Sequence, residues 1–169
     1  MKEDFKTLVK LLAFREITEK EFIRRYFEGK EFSKDYFPEL LKKGLVNKDP
    51  FMTEEALILI FAAQFYDDIL CPTLCSLLNE NWHYKHEDIA SLLKDINDPS
   101  AVNCLYSATE LHFEYLNYDD TFQFARKCIK ALAAIGNENA IDKLRLLTTS
   151  ENSVISAYAK KELRYKHLE

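Results

Sequence analysis

Glycine is nearly missing from this chain: there are 3 in 169 residues, at Gly29, Gly44 and Gly136. Loops that cradle phosphate, and the turns that open dinucleotide-binding folds, need several glycines close together so that backbone N–H groups can approach an anion. No such cluster exists, which disfavours P-loop NTPases, Rossmann oxidoreductases and nucleophile-elbow hydrolases. Long apolar runs are missing as well. The longest, Ala56 to Ala63, stops far short of the roughly 20 residues a membrane helix needs. Basic runs are absent: Arg126-Lys127 and Lys160-Lys161 are isolated pairs, and the net charge is −5. Nucleic-acid binders show the opposite balance, because lysine and arginine must neutralise phosphates. Strand signals are also lacking, with no sustained alternation and no Asn-Gly or Asp-Gly hairpin turn. The charged start, Met1 to Thr7, shows neither a signal peptide nor a lipidation motif, and a cytoplasmic setting is expected.

Cysteine is scarce but present. Cys71 and Cys75 are four apart and share a helical face, while Cys104 and Cys128 fall at apolar helical positions. The expectation is four reduced, buried core thiols, since free cysteine behaves as a small hydrophobe.

What the chain does contain is apolar spacing of helical period nearly throughout. A length of 169 residues suits one domain that buries about 70% of its unfolded surface without staples. Phe5, Leu8, Val9 and Leu12 mark a first amphipathic helix. Thr18 and Glu21 form a capping-box pair for a second, with Phe22, Ile23, Tyr26 and Phe27 inward and Gly29 closing it. Ser33 is expected to open a third helix and Gly44 to end it. Thr53 is expected to cap a fourth, in which Ala56 to Ala63 is apolar all round and so central. Pro72 suits the first turn of a fifth, carrying Leu74, Leu77 and Leu78.

From there the chain repeats. Ile96-Asn-Asp-Pro-Ser-Ala101-Val102-x-x-Leu105 superposes on Ile135-Gly-Asn-Glu-Asn-Ala140-Ile141-x-x-Leu144, an offset of 135 − 96 = 39 residues. Two helices and a tight turn at a period near 40 are a helical-solenoid signature. A last helix, Asn152 to Lys166, would cap the stack. The register puts Ala131 on a core face, so that Ala131→Asp would unfold the domain.

The stretch Ala131-Leu-Ala-Ala-Ile135-Gly136-Asn-Glu-Asn-Ala140-Ile141-Asp-Lys-Leu144 resembles HEAT-like repeats of the PBS-lyase type. The resemblance covers Lys85 to Lys166 and, more loosely, Thr53 to Leu78. The expected fold is therefore all-α, an α-solenoid of HEAT-like stacked antiparallel helix pairs. The expected organisation is a single helical-repeat domain over 1–167. Residues 1–50 are N-terminal helices of unclear repeat character, 53–166 are repeats with a C-terminal capping helix, and 168–169 read as a cloning scar.

On this parsing, Asn79 to Lys85 and Tyr115 to Asp120 both join one repeat to the next and share an edge of the stack. Glu80, Trp82 and Tyr84 in one, and Glu114, Tyr115, Tyr118, Asp119 and Asp120 in or beside the other, mix aromatics with acids. Tyrosine and tryptophan make anchors with few rotors to freeze, and carboxylates steer and pair with Lys or Arg on a basic partner. The competing use of the same residues is to cover the ends of the core, with Asp119 or Asp120 capping a helix. Tyr66, Asp67 and Asp68 form a second candidate group on the opposite edge. His83, His86 and Glu87 are metal-ligand types, but they point apart at a helix start and lack the three or four converging ligands a site needs. They are expected to be a solvated helix start. No metal, cofactor or catalytic pair is expected.

Short acidic helical-repeat chains of this kind resemble bacterial immunity proteins, including those of contact-dependent growth inhibition systems. The resemblance implies a tight one-to-one complex with a basic, nuclease-type toxin domain. A non-enzymatic protein is expected, and the acidic charge and short apolar runs imply contact with neither nucleic acid nor membrane. The alternatives are a HEAT-like adaptor or scaffold subunit, which would expose an apolar groove, and a HEAT-like lyase.

Overall fold

A computed structural model describes residues 3–168; Glu169, half of the expected scar, lies outside the described residues. All regular structure among these residues is helical. Ten α-helices succeed one another: α1 (Phe5–Ala13), α2 (Glu19–Tyr26), α3 (Tyr36–Asn47), α4 (Pro50–Ala63), α5 (Cys71–Leu77), α6 (His86–Ile96), α7 (Val102–Ala108), α8 (Gln123–Ile135), α9 (Glu138–Leu147) and α10 (Ser153–Tyr165). Short 3-10 turns at Asp68–Leu70, Pro99–Ala101 and Glu114–Leu116 precede or link them. Among the described residues no helix is long and apolar enough to cross a membrane. The helices fall into two compact units, the first ending at Phe65 and the second starting at Tyr66.

In the first unit, α1 packs on α2, and α4 packs on both α2 and α3. Leu8, Phe22, Phe37, Leu41, Leu59 and Ile60 are fully buried in its core. Thr18 opens α2 as expected, its hydroxyl accepting the Glu21 N–H at 3.2 Å. The Glu21 carboxylate turns instead to Arg24 and Arg25 (2.7 Å each), and those guanidinium groups hold its pKa down at about 2. Tyr26 donates to Glu55 at 2.7 Å and shares a 2.7 Å hydrogen bond with the Tyr36 hydroxyl, so the buried ring has its polar end satisfied.

Three expected helix ends move. The third helix opens after Asp35 rather than at Ser33, whose hydroxyl accepts the Asp35 N–H in the preceding turn. It also runs through Gly44 to Asn47 and stops at Lys48, which takes the left-handed conformation (φ 50°). Gly44 is buried inside the helix because α4 passes close by. A Cβ there would lie 2.6 Å from Thr53 Oγ1, 3.1 Å from Thr53 N and 3.2 Å from Thr53 Cα. Thr53 does not cap α4. Asp49 does, its carboxylate accepting the Phe51 and Met52 N–H groups at 2.9 and 3.0 Å, with Pro50 in the first turn. The same Asp-Pro signature stands at Asp98-Pro99, where Asp98 accepts the Ser100 N–H at 2.8 Å. Thr53 lies buried one turn in, its hydroxyl donating to the Asp49 carbonyl at 2.9 Å.

In the second unit, α6 packs along α8, α7 on α8 and α9, and α10 on α8 and α9, while α5 packs on α6. The repeated turn behaves alike in both copies. Asn97 (φ 59°) ends α6 and Gly136 (φ 60°) ends α8, both left-handed, and Asp98 and Asn137 then cap the next helical segment. Ala131, Leu132, Ile129 and Cys128 are fully buried.

The expected set of four free thiols is corrected. Cys75 of α5 and Cys104 of α7 form a disulfide, while Cys71 and Cys128 are free and buried. Neither partner is flagged by sequence spacing, since 29 residues separate them and the packing of their helices brings them together.

Candidate functional site

The segments around Asn79–Lys85 and Leu111–Phe122 meet in space. Tyr84 and Tyr115 pack edge to face, with ring centroids 5.0 Å apart. Their junction is organised by His86, the first residue of α6. His86 stacks on Phe113 (centroids 3.6 Å) and on His83 (4.3 Å), with Phe124 of α8 edge-on at 5.7 Å.

His83 and His86 are therefore not a solvated helix start; both are fully buried. Their nitrogens are all engaged. His83 Nε2 donates to the Leu77 carbonyl (2.9 Å) and its Nδ1 accepts the Lys85 N–H (3.1 Å). His86 Nε2 donates to the Glu80 carbonyl (2.7 Å) and its Nδ1 accepts the Tyr115 hydroxyl proton (2.8 Å). Each ring is the neutral Nε2–H tautomer by this pattern. Burial disfavours the charged form of both. It lowers the His83 pKa, and together with the neighbouring His83 it holds His86 at about 4. Burial likewise raises the Tyr115 hydroxyl to about 12. Among the described residues no three His, Cys, Asp or Glu side chains converge as a metal site would need. The burial of His86 has a sequence signal: His86, Ile89, Ala90 and Leu93 occupy i, i+3, i+4, i+7, which places the ring on the apolar stripe.

The residues expected to bind a partner divide between scaffold and projection. Glu80 and Trp82 are half-buried and joined, the indole N–H donating to the Glu80 carboxylate at 2.6 Å. Tyr115 is half-buried and committed to His86. Asp119 clamps the turn into α8. One carboxylate oxygen accepts the Thr121 N–H (3.0 Å) and the other the Gln123 N–H (2.7 Å), straddling Phe122 in its left-handed conformation (φ 52°). Those bonds, with the Thr121 hydroxyl foremost, pull the Asp119 pKa down. Tyr84 (70% exposed), Tyr118 (81% exposed), Glu114 and Asp120 project outward. Tyr84 and Glu114, with Asn81, His112 and Tyr115, line a cleft of about 390 Å³.

Tyr66, Asp67 and Asp68 form a separate group at the start of the second unit. Asp67 caps the Asp68–Leu70 turn by accepting the Ile69 N–H at 3.1 Å, and Asp68 is exposed. Tyr66 is partly exposed, its hydroxyl pKa raised by partial burial and by Asp95. Ile69, half exposed beside them, is the one apolar member of the group and escaped sequence reasoning.

The arrangement sets projecting phenol rings and carboxylates on a braced base of stacked, buried rings. No protein-family model, no curated protein and no solved structure matches this chain.

Proposed function

We propose that the protein is an immunity-type binding protein. On this reading it neutralises a basic, nuclease-type toxin domain by gripping it with the acidic aromatic edge around Tyr84, Glu114, Tyr118 and Asp120. The observation that carries this reading is the pair of highly exposed tyrosines, Tyr84 and Tyr118, set beside exposed acids on loops that a buried ring stack holds in place. Large exposed aromatics give up hydration readily and lose few rotors on binding, and a rigid base lowers the ordering cost of association. The net charge of −5 favours encounter with a cationic partner.

The HEAT-like stacking of antiparallel pairs belongs to the same proposal. Its support is the 39-residue repeat, together with the packing of α6 along α8 and of α7 on α9. A cytoplasmic setting is also part of it, although the Cys75–Cys104 bond fits an oxidising environment better than a glutathione-reduced one. The adaptor reading draws on a different observation, the exposed Phe14, Val46 and Phe51 of the first unit.

The test is co-expression of the tagged chain with the product of the neighbouring upstream gene, then mass spectrometry and binding kinetics. The expected result is one stoichiometric basic protein, toxic when expressed alone, whose association slows as salt is raised. Tyr118→Ala with Asp120→Lys should weaken that complex by about 2 kcal/mol, roughly thirtyfold. Asp119 is left intact in this variant because it holds the loop. Full affinity in the folded double variant removes the edge from the site, and recovery of a multi-subunit assembly replaces the immunity reading with the adaptor.

A further inference from the structure

Helices α8 and α10 pack against one another, and a groove of about 540 Å³ runs along their contact. Arg126 and Lys130 reach it from α8, and Lys161 and Lys166 from α10 and its C-terminal cap; Glu162 is the single acid lining it. In a chain of net charge −5 this is a concentration of the minority sign. None of the four cations belongs to an ion pair among the described residues. Arg126 and Lys130 stand one helical turn apart, a like-charge spacing that costs helix stability. Lys166 reaches the C-terminal end of α8, its Nζ 3.2 Å from where a Cβ on Gly136 would stand. Helix dipoles favour a cation at that end, but Arg126 and Lys130 lie further up and gain no such support.

The groove is also lined with tyrosine. The Arg126 guanidinium sits 5.4 Å from the Tyr158 ring centroid, and Tyr158 is pinned by donating its hydroxyl proton to the Thr121 carbonyl at 2.7 Å. Lys161 Nζ lies 5.7 Å from the centroid of Tyr165, an exposed ring at the end of α10. Cation–π contact holds these charges toward the groove instead of letting them drift into solvent. An acidic peptide spreads its carboxylates over many residues. Four cations lining one groove of small-molecule size, within the range of about 300–1,000 Å³, match a ligand whose negative charges are adjacent.

We infer that this groove binds a small ligand carrying a chain of phosphoryl groups, on Arg126, Lys130, Lys161 and Lys166. Tyr165 offers a stacking surface for an attached base. The two sources of that chemistry are a free polyphosphate and a nucleoside triphosphate.

Isothermal titration of the full chain with magnesium-free tripolyphosphate and with ATP, in low-salt buffer, tests this. Both should bind, with affinity falling as salt rises. Lys130→Gln with Lys161→Gln, two exposed positions, should weaken both by at least about tenfold without lowering the melting temperature. Tighter binding of ATP than of tripolyphosphate, with the difference abolished by Tyr165→Ala, assigns a nucleotide; equal binding assigns a polyphosphate. No heat at millimolar ligand, or undiminished affinity in the folded double variant, overturns the site. Tighter binding of single-stranded oligothymidylate with increasing length overturns it too, since that would mark a strand-tracking surface. The toxin complex can fail to appear without affecting any of these outcomes.

Discussion

A histidine ring held neutral in the interior makes the protein acid-sensitive in a definite window. His86 is buried and its pKa is held at about 4, while in the unfolded chain it titrates near the ordinary value of 6.5. Between those values the unfolded state binds a proton that the folded state refuses. The stabilisation is complete above pH 6.5 and is lost as the pH falls toward 4, on the order of 3 kcal/mol in all. His83, lowered in the same direction, adds to the loss. The carboxylates whose pKa is lowered act only at the acid end of this window or below it. Glu21, held at about 2, gives up its contribution only below its ordinary 4.5, and Asp98 and Asp119 only below 3.8. Urea unfolding at neutral pH and at pH near 5 should show the decline, and His86→Phe should flatten it. A profile equally steep in the variant would mean that other groups carry the acid sensitivity.

At the scale of helices, the contact between α3 and α4 depends on the missing side chain at Gly44. Replacing a mid-helix glycine with alanine raises helix propensity by about 1 kcal/mol. Here the new Cβ would meet Thr53 Oγ1 at 2.6 Å and the Thr53 backbone at 3.1–3.2 Å. Thr53 cannot swing away, because it is buried and its hydroxyl is bound to the Asp49 carbonyl. Overpacking of this kind costs about 1–3 kcal/mol, so the clash outweighs the propensity gain. Gly44→Ala should lower stability by about 1 kcal/mol net, read from the midpoint of chemical unfolding; a raised midpoint would mean that the two helices can separate without loss.

For the whole molecule, the disulfide acts on the unfolded chain as much as on the folded one. Joining Cys75 to Cys104 closes a loop of 29 residues and restricts the denatured ensemble. In the chain-entropy account that is worth between about 3 and 4 kcal/mol. Reduction, or the pair Cys75→Ser and Cys104→Ser, should lower stability by that order. Thiol titration in denaturant should find two groups, Cys71 and Cys128, without reductant and four with it. Four reactive thiols in the untreated protein, with no effect of reductant on unfolding, would return all four cysteines to the core-thiol role. Such a large share of an ordinary domain's stability would make the redox setting of the protein a determinant of how much of it is folded.

Helical periodicity carries most of the architecture because it is local. An i, i+3, i+4 pattern fixes which face of a helix is apolar before any tertiary contact forms, so the helix count, the Gly136 turn and the core position of Ala131 were all readable from the chain. The Asp-Pro start at residues 49–50 was equally present, but Thr53 competed for the cap. Which capping residue wins depends on where the neighbouring helix allows the backbone to turn. The acidic aromatic loops were likewise visible as composition. Tertiary structure decided which of their members project and which are spent internally: Tyr84, Tyr118 and Asp120 outward, Tyr115 on His86, and Asp119 in its own turn. The Cys75–Cys104 bond, the burial of His83 and the gathering of four scattered cations between α8 and α10 all join residues far apart in sequence or alter their solvation. Such distances and dielectric surroundings exist only once the helices have packed, and no local pattern encodes them.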